Sequence, residues 1–194
     1  MNCEFLNFFI NSGAILNGHF ELSSGLHSDT YFQLALIFQD HKKTSFLAEK
    51  LVEKIMKNIT KKIDVIVSPA IGGIIIGYEV GRILNIRSIF TERINNEMIL
   101  RRGFSIYKNE NILFVEDVIT TGLSINEVML SLKTNKTNIS LISSLVDRSV
   151  NNIDFGIPKI SLLNFNVKNY RKEECPMCNS GNIAIKPGSR RYLS

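Results

Sequence analysis

Short apolar runs that alternate with helical patterns constrain the fold of this chain more than any other feature of its sequence. Ile63–Val67 is a β-branched run of the kind that forms a buried parallel strand. The other strand candidates are Arg87–Thr91, Ile112–Val115, Ile139–Val146 and Ile160–Phe165, and helical spacing marks residues 42–59, 72–84 and Ser124–Leu132. This alternation predicts an α/β fold with a central, mostly parallel sheet that is flanked by helices.

Length, composition and charge bound the class of protein. The 194 residues suit one domain, and a hydrophobic fraction of 44% with 21% charged residues is typical of globular proteins. The run Ile74–Ile76 is far shorter than the ~20 residues of a membrane span. Without a basic N-terminal region, and with three scattered cysteines, we expect a cytoplasmic protein with no membrane partner. The net charge of +5 is dispersed, so we expect an anionic small molecule rather than nucleic acid as partner.

Residues 112–124 carry the strongest functional signal. Four apolar residues predict a buried strand that ends in two adjacent carboxylates, Glu116 and Asp117. Backbone N–H groups and hydroxyls of the loop Thr120–Ser124 can cradle a phosphate, and its glycine permits close approach. The carboxylates would repel that phosphate, so they suit sugar hydroxyls or magnesium beside it. A plain helix cap, worth about 1 kcal/mol, is the alternative, but it leaves the two carboxylates unexplained.

This segment resembles the 5-phosphoribosyl-1-diphosphate (PRPP) motif of the type I phosphoribosyltransferases, in which a hydrophobic strand, two acids and a Thr/Gly/Ser loop follow one another. The resemblance implies that family's fold over one domain, residues 1–194, with a small hood formed by about residues 1–40 and 165–194. It implies that the two acids bind ribose hydroxyls and that the loop wraps the 5′-phosphate. The implied PRPP site is Glu116, Asp117, Val118, Ile119, Thr120, Thr121, Gly122, Leu123 and Ser124.

A second loop, Ser68–Gly73, also joins a strand to a helix. Two glycines at a helix start suit close approach of an anion. By resemblance to the family, Ala70, Ile71, Gly72 and Gly73 would bind the diphosphate, and an unusual non-proline cis peptide bond would join the first two of them. An ordinary strand-to-helix turn is the alternative.

Residues 91–104 are expected to form a long loop, and loops of this kind are usually functional or disordered. In the family a mobile loop at this point closes over the site and delivers basic residues to the diphosphate. The candidates are Arg93, Arg101 and Arg102, whereas many orotate phosphoribosyltransferases carry a lysine and a histidine there. Because arginine keeps its proton, we expect these catalytic residues, together with Asp117, to stabilise charge or bind substrate. A solvated basic turn is the alternative.

Two features indicate the base. Gly18–Phe32 resembles the hood segment of orotate phosphoribosyltransferases, although Ser23 stands where many members have a lysine, and Glu174–Cys178 and Lys186–Arg190 resemble the ending of a bacterial subgroup without that lysine. The other feature is Arg148, whose planar guanidinium can hold the orotate carboxylate through two parallel hydrogen bonds.

The family uses an arginine at the position of Arg148 for this purpose, and the resemblance also places Thr120 and Phe32 at the orotate site. An ion pair with Asp147 or a plain surface charge is the alternative for Arg148.

Cys175 and Cys178 form a C-x-x-C pair, which by itself suits redox chemistry or half of a zinc site. Structural zinc takes four ligands, and both Cys3 and the histidines at positions 19, 27 and 41 are far away in the sequence. We therefore expect a local turn stabilised by Pro176, and no metal bound directly by the protein.

Together these resemblances imply an orotate phosphoribosyltransferase of pyrimidine nucleotide synthesis, which transfers ribose 5-phosphate from PRPP to N1 of orotate and releases diphosphate. Magnesium would be held mainly by PRPP and water. Because the family's mobile loop reaches into a neighbouring subunit's site, a homodimer is implied. The alternatives are a phosphoribosyltransferase for a purine or uracil, and a PRPP-binding transcriptional regulator with the same fold.

Overall fold

The computed structural model describes residues 3–22, 24–95, 97–132, 137–149 and 153–187. Within these ranges the helices are α1 (Cys3–Asn11), α2 (Ala35–Phe38), α3 (His41–Met56), α4 (Gly72–Leu84), α5 (Leu123–Leu132) and α6 (Pro176–Asn179). The strands are β1 (Ile15–Glu21), β2 (His27–Phe32), β3 (Val65–Pro69), β4 (Arg87–Ile94), β5 (Glu97–Leu100), β6 (Asn111–Ile119), β7 (Asn138–Asp147), β8 (Lys159–Asn164) and β9 (Asn169–Tyr170). Across the described ranges, no helix has the length and apolar character needed to cross a membrane.

The main sheet has the strand order β5-β4-β3-β6-β7-β8. All neighbouring strands pair in parallel except β5, which lies antiparallel to β4 at one edge. The prediction of a mostly parallel sheet flanked by helices is therefore confirmed. The carboxyl ends of β3, β6 and β7 lie along the same edge of the sheet, where ligands bind in folds of this type.

Both faces of the main sheet are buried. In β6, Leu113 and Val115 pack with α3 and α4 on one face, while Ile112 and Phe114 pack with α5 on the other. All four side chains are fully inaccessible to solvent. Burial on both faces removes the polar alternation of a half-exposed strand, which explains why these strands are continuous apolar runs in the sequence.

Residues 94–99 differ from the prediction of one long loop over 91–104. The strand β4 continues to Ile94 and turns back into β5, so that Arg93 pairs with Met98. Met98 is buried, and its sulfur lies 3.8 Å from the Thr91 hydroxyl. A four-residue strand with one buried side chain is too short to produce a clear alternating pattern, so the hairpin was not expected. The chain then runs from 101 to 110 without regular structure.

A smaller sheet, which we call the hood sheet, consists of β1, β2 and β9. Backbone hydrogen bonds join it to the tail beyond α6, because Ile185 donates to His19 O at 2.8 Å and accepts from the Glu21 N–H at 2.9 Å. Segments from both ends of the sequence therefore meet here. Although they are far apart in the sequence, His19 contacts the thiols of both Cys175 and Cys178, and His27 contacts that of Cys178. Ser23 and residues 188–190 lie outside the described residues.

Candidate active site

The strand β6 delivers two carboxylates to the carboxyl edge of the main sheet, and a tight loop then leads into α5. Gly122 has a left-handed φ of 72°, and a Cβ there would lie 2.6 Å from the Phe155 ring, so only glycine fits. The loop surrounds a cavity of about 510 Å³, which we call the loop cavity. Its walls are Ser24, Arg93, Glu116, Val118, Ile119, Thr120, Thr121, Gly122, Leu123, Ser124 and Glu127.

The two adjacent acids at the end of β6 are poorly solvated. Burial raises the pKa of Asp117 to about 6, even though its carboxylate accepts a 2.8 Å hydrogen bond from the Val118 N–H. Burial, and then the neighbouring charge of Asp117, raise the pKa of Glu116 well above its ordinary value, while a hydrogen bond from Ser124 opposes this. Hydroxyl donors or a cation would therefore stabilise the ionised pair strongly.

The loop between β3 and α4 packs against Asp117. The peptide bond between Ala70 and Ile71 is cis, at the position expected from the resemblance. A Cβ on Gly72 would overlap the Asp117 carboxylate, and a Cβ on Gly73 would lie 3.1 Å from Val115 O. The two glycines therefore allow this loop to approach the end of β6 closely.

A second cavity of about 700 Å³, which we call the hood cavity, lies between the main sheet and the hood sheet. Glu116, Val118, Thr120 and Ser124 line both cavities, so the two adjoin. The other walls of the hood cavity include Glu21, Leu22, Tyr31, Phe32, Ile71, Gly72, Asp117, Arg148, Lys186 and Pro187. A ligand with an anionic end in the loop cavity could thus place its other end under the hood sheet.

Arg148 is almost completely buried at the end of β7, with 1% of its surface exposed. Its Nη1 donates to Thr30 O at 2.9 Å, and its Nη2 donates to Ser28 Oγ at 2.8 Å and to Asn169 Oδ1 at 3.1 Å. Nε is buried and has no hydrogen-bond partner among the described residues. Burial lowers the pKa of this guanidinium.

The two alternatives for Arg148 do not hold. It is not a surface charge, and Asp147 instead pairs with Lys159 at 2.6 Å. An unpaired buried donor costs about 1–3 kcal/mol, which a hydrogen bond to an anion would recover.

The phosphoribosyl transferase domain family matches residues 36–149. This range is more than half of the chain and includes the β3–α4 loop, the β6–α5 loop and Arg148. The chain belongs to the phosphoribosyltransferase family.

Individual relatives of this phosphoribosyltransferase agree with that assignment. The orotate phosphoribosyltransferase of Caldanaerobacter subterraneus subsp. tengcongensis is 46% identical over 186 residues, which cover 96% of each chain. The structure of Leishmania donovani UMP synthase has a TM-score of 0.71 and 19% identity over 84% of this chain and 36% of its own. Orotate phosphoribosyltransferase from Aeropyrum pernix has a TM-score of 0.66 and 22% identity over 82% of this chain and 93% of its own. Both structural likenesses show the shared fold, and the predicted fold class is confirmed.

The three loop arginines of this phosphoribosyltransferase lie in different places. Arg93 lines the loop cavity and forms an ion pair with Glu127, in which its Nη1 donates to Oε1 at 2.8 Å. Arg102 is exposed and pairs with Glu92 at 2.8 Å, and Arg101 is also exposed. Neither of these two lines the loop cavity or the hood cavity. Of these three arginines, Arg93 alone lines the loop cavity or the hood cavity as the described residues form them.

The hood sheet and the C-terminal tail bring three side chains to this phosphoribosyltransferase's hood cavity, and the sequence suggested one of them. Phe32, which was expected there, borders the cavity but is largely buried against the rings of Phe9 and Phe165. Tyr31 and Lys186 also line the cavity, and burial and the charge of Asp117 raise the pKa of Tyr31. The strand alternation of β2 could have indicated Tyr31, but nothing near Lys186 in the sequence indicates that it meets β1.

Proposed function

We propose that this phosphoribosyltransferase uses orotate, and transfers ribose 5-phosphate from PRPP to its N1 to give orotidine 5′-monophosphate and diphosphate in pyrimidine nucleotide synthesis. The observation that carries the proposal is the pair of adjoining cavities. One contains a glycine-containing anion loop beside one buried and one half-buried acid, and the other contains a buried arginine with an unsatisfied N–H. The near full-length likeness to a protein named orotate phosphoribosyltransferase supports the choice of base.

PRPP would place its 5′-phosphate in the loop cavity, while its ribose and diphosphate would reach Asp117, Ile71 and Gly72, which line the adjoining hood cavity. Glu116 and Asp117 accept hydrogen bonds from the ribose hydroxyls, and the N–H and hydroxyl groups of Val118–Ser124 hold the 5′-phosphate. The loop Ala70–Gly73 is the proposed diphosphate site, because it packs against the Asp117 carboxylate that would hold the ribose. This assignment places the ribose between the 5′-phosphate and the diphosphate, so that its hydroxyls face the two acids.

Orotate would occupy the hood cavity, under the hood sheet. Arg148 binds its carboxylate through the Nε–H, and the hydrogen bonds to Ser28, Thr30 and Asn169 fix the orientation of the guanidinium. Thr120 lines both cavities and is placed to contact the base as well as the phosphate. Phe32 supplies part of the apolar wall.

In the proposed reaction, the bond from orotate N1 to C1′ forms as the C1′–O bond to diphosphate breaks, and the proton on N1 is lost. Positive charge develops on the ribose and negative charge on the leaving diphosphate, so positioning and electrostatics lower the barrier. Arg93 would stabilise charge in its own site. Arg101 and Arg102 would act in the site of the other subunit of a homodimer, which is consistent with their position outside the cavities of their own chain.

The residues present fit a magnesium ion that is held mainly by PRPP and water. Glu116 and Asp117 offer the hard oxygen atoms that Mg²⁺ prefers, and a cation beside them offsets the cost of burying two adjacent carboxylates. When bound, the ion neutralises charge on the diphosphate. A cytoplasmic location is also part of the proposal, and the absence of a disulfide among the cysteines of the described residues supports it.

One assay tests the proposal. We expect the absorbance of orotate to fall when the protein is mixed with orotate, PRPP and Mg²⁺, and diphosphate to appear in equal amount. Turnover of a purine or uracil without turnover of orotate would contradict the base assignment. Binding of PRPP without turnover of any base would instead indicate a regulator.

A further inference from the structure

Four side chains with metal-binding atoms meet beside the hood sheet, outside the loop and hood cavities. His19 lies on β1, His27 begins β2, Cys175 precedes α6 and Cys178 lies within it. One ligand atom from each residue lies within 4.8 Å of all the others. His19, His27 and Cys175 are buried, and Cys178 is half-buried. No part of the proposed function uses these four residues.

Four of the six distances between these atoms lie within about 0.5 Å of the edges of a zinc tetrahedron, and the other two are at most 4.8 Å. Bonds of 2.0–2.1 Å to nitrogen and 2.3 Å to sulfur place tetrahedral ligand atoms about 3.3 Å apart for two nitrogens and about 3.6 Å apart for nitrogen and sulfur. His19 Nε2 lies 2.8 Å from His27 Nδ1, 3.4 Å from Cys175 Sγ and 3.8 Å from Cys178 Sγ. Cys178 Sγ lies 3.3 Å from His27 Nδ1. Shifts of about 0.5 Å or less would bring these four contacts to the tetrahedral values.

The hydrogen bond of the second ring nitrogen of His19 also supports a metal site. Its Nδ1 lies 2.9 Å from Asn182 O. A carbonyl oxygen only accepts hydrogen bonds, so this Nδ1 carries the proton and the neutral ring presents the lone pair of Nε2 to the two thiols and His27. Histidines that bind metals are typically oriented in this way by a backbone carbonyl.

We propose that His19, His27, Cys175 and Cys178 bind one zinc ion in a closed, tetrahedral Cys₂His₂ site. Two thiolates and two imidazoles are the donor set that favours zinc over magnesium or calcium. Because protein atoms supply all four ligands, the site has a structural rather than a catalytic role. The expected local turn is also present, because Pro176 begins the short helix α6 and the Asn179 N–H donates to Cys175 O at 3.1 Å.

The zinc ion would fasten the C-terminal tail to the hood sheet at the edge of the hood cavity. Ile185 pairs with Phe20, and Lys186, which lines the cavity, forms a 2.7 Å ion pair with Glu21. Ser28 follows His27 and holds Arg148. Loss of the metal would therefore loosen the positions of both Lys186 and Arg148.

Zinc content of the tag-free, full-length protein tests the proposal. After growth with added zinc and dialysis against metal-free buffer, we expect about one zinc ion per chain by mass spectrometry. The variants Cys178→Ser and His27→Gln should lose it. The double variant Cys3→Ser/His41→Gln is the matched control, because it removes the cysteine and histidine outside the cluster and should keep the zinc. Wild-type protein without zinc, or C178S and H27Q with full zinc, would overturn the proposal.

Cobalt substitution keeps the test decisive if the ligand variants do not fold. Co²⁺-loaded wild-type protein should show intense visible bands of a tetrahedral ion and thiolate-to-cobalt absorption in the near ultraviolet. A weak octahedral spectrum without thiolate absorption would contradict the site. Chelation of zinc should also lower the Tm of the wild type and of the matched control by the same amount. These readouts do not depend on turnover of orotate.

Discussion

The loop cavity and the hood sheet are built in different ways. Most walls of the loop cavity come from residues 116–124, which are consecutive in the chain and take their positions from one strand, one turn and one helix. In the hood sheet, contacts such as His19 with Cys175 join residues 156 positions apart. A binding site made of consecutive residues can be recognised in a sequence. A site made of residues from both ends of the chain can be recognised only once the fold is known.

The largest expected effect concerns the loop cavity. Asp117→Asn keeps the size of the side chain but removes the charge that would bind the ribose, so kcat/KM for PRPP should fall by about 10²–10³-fold. The Tm at pH 8 should not fall, because a neutral amide avoids the cost of a buried carboxylate. Asp64→Asn, a carboxylate just before β3 at the opposite edge of the sheet, is the control and should leave steady-state kinetics unchanged. Wild-type kinetics for D117N would show that the local motif does not hold PRPP.

The corresponding test of the hood cavity is Arg148→Lys. Lysine keeps the charge but lacks the planar fork, so kcat/KM for orotate should fall by about 10–100-fold, the loss expected for one or two charge-assisted hydrogen bonds. The Kd of PRPP, measured by calorimetry, should change much less. Ser28→Ala is the control for loosening of the hood sheet, because it removes one hydrogen bond between that sheet and Arg148. It should lower kcat/KM for orotate less than Arg148→Lys does. Equal losses for both substrates would contradict a clamp for the carboxylate.

The features that could be predicted from the sequence are those that one local segment encodes, and the features that could not are assembled from distant segments. Residues 112–124 combine a buried strand, two acids and a glycine turn, and each of these has a local backbone consequence, so their arrangement could be predicted. The cis peptide between Ala70 and Ile71 was expected only from the resemblance to the family. The strand β5 and the cluster of His19 and Cys175 could not be predicted. Their positions depend on pairing with β4 and on the bridge between Phe20 and Ile185, which no short segment encodes.

The exposed Arg101 and Arg102, which follow β5, allow a test of whether each active site contains residues from two chains. We expect the double variant Arg101→Ala/Arg102→Ala and D117N each to be inactive, and their co-expression to restore activity. In a homodimer with shared loops, half of the dimers are mixed and each has one intact site, so about a quarter of wild-type activity should return. Co-expressed protein that stays as inactive as either variant alone would show that these arginines serve their own chain.

The smallest expected effect is the pH dependence of PRPP binding. The carboxylate of Asp117 accepts hydrogen bonds only when ionised, and its pKa in the folded protein is raised to about 6. Acidification from pH 7 to pH 5.5 should therefore weaken PRPP binding by about fourfold through this group alone. The stability of the protein without PRPP should change in the opposite direction. The folded state binds the Asp117 proton more tightly than the unfolded chain does, so the free energy of unfolding should fall as pH rises from about 4 to 6.

The D117N variant separates this effect from the titration of PRPP itself. PRPP phosphates lose charge over the same range for both proteins, so the ratio of wild-type to variant Kd removes the titration of the ligand and reports Asp117 together with its effect on Glu116. A ratio that stays constant between pH 5.5 and 7 would mean that the buried acid does not bind the ribose in its ionised form. A ratio that changes by about fourfold would show that binding of PRPP requires Asp117 in its ionised form.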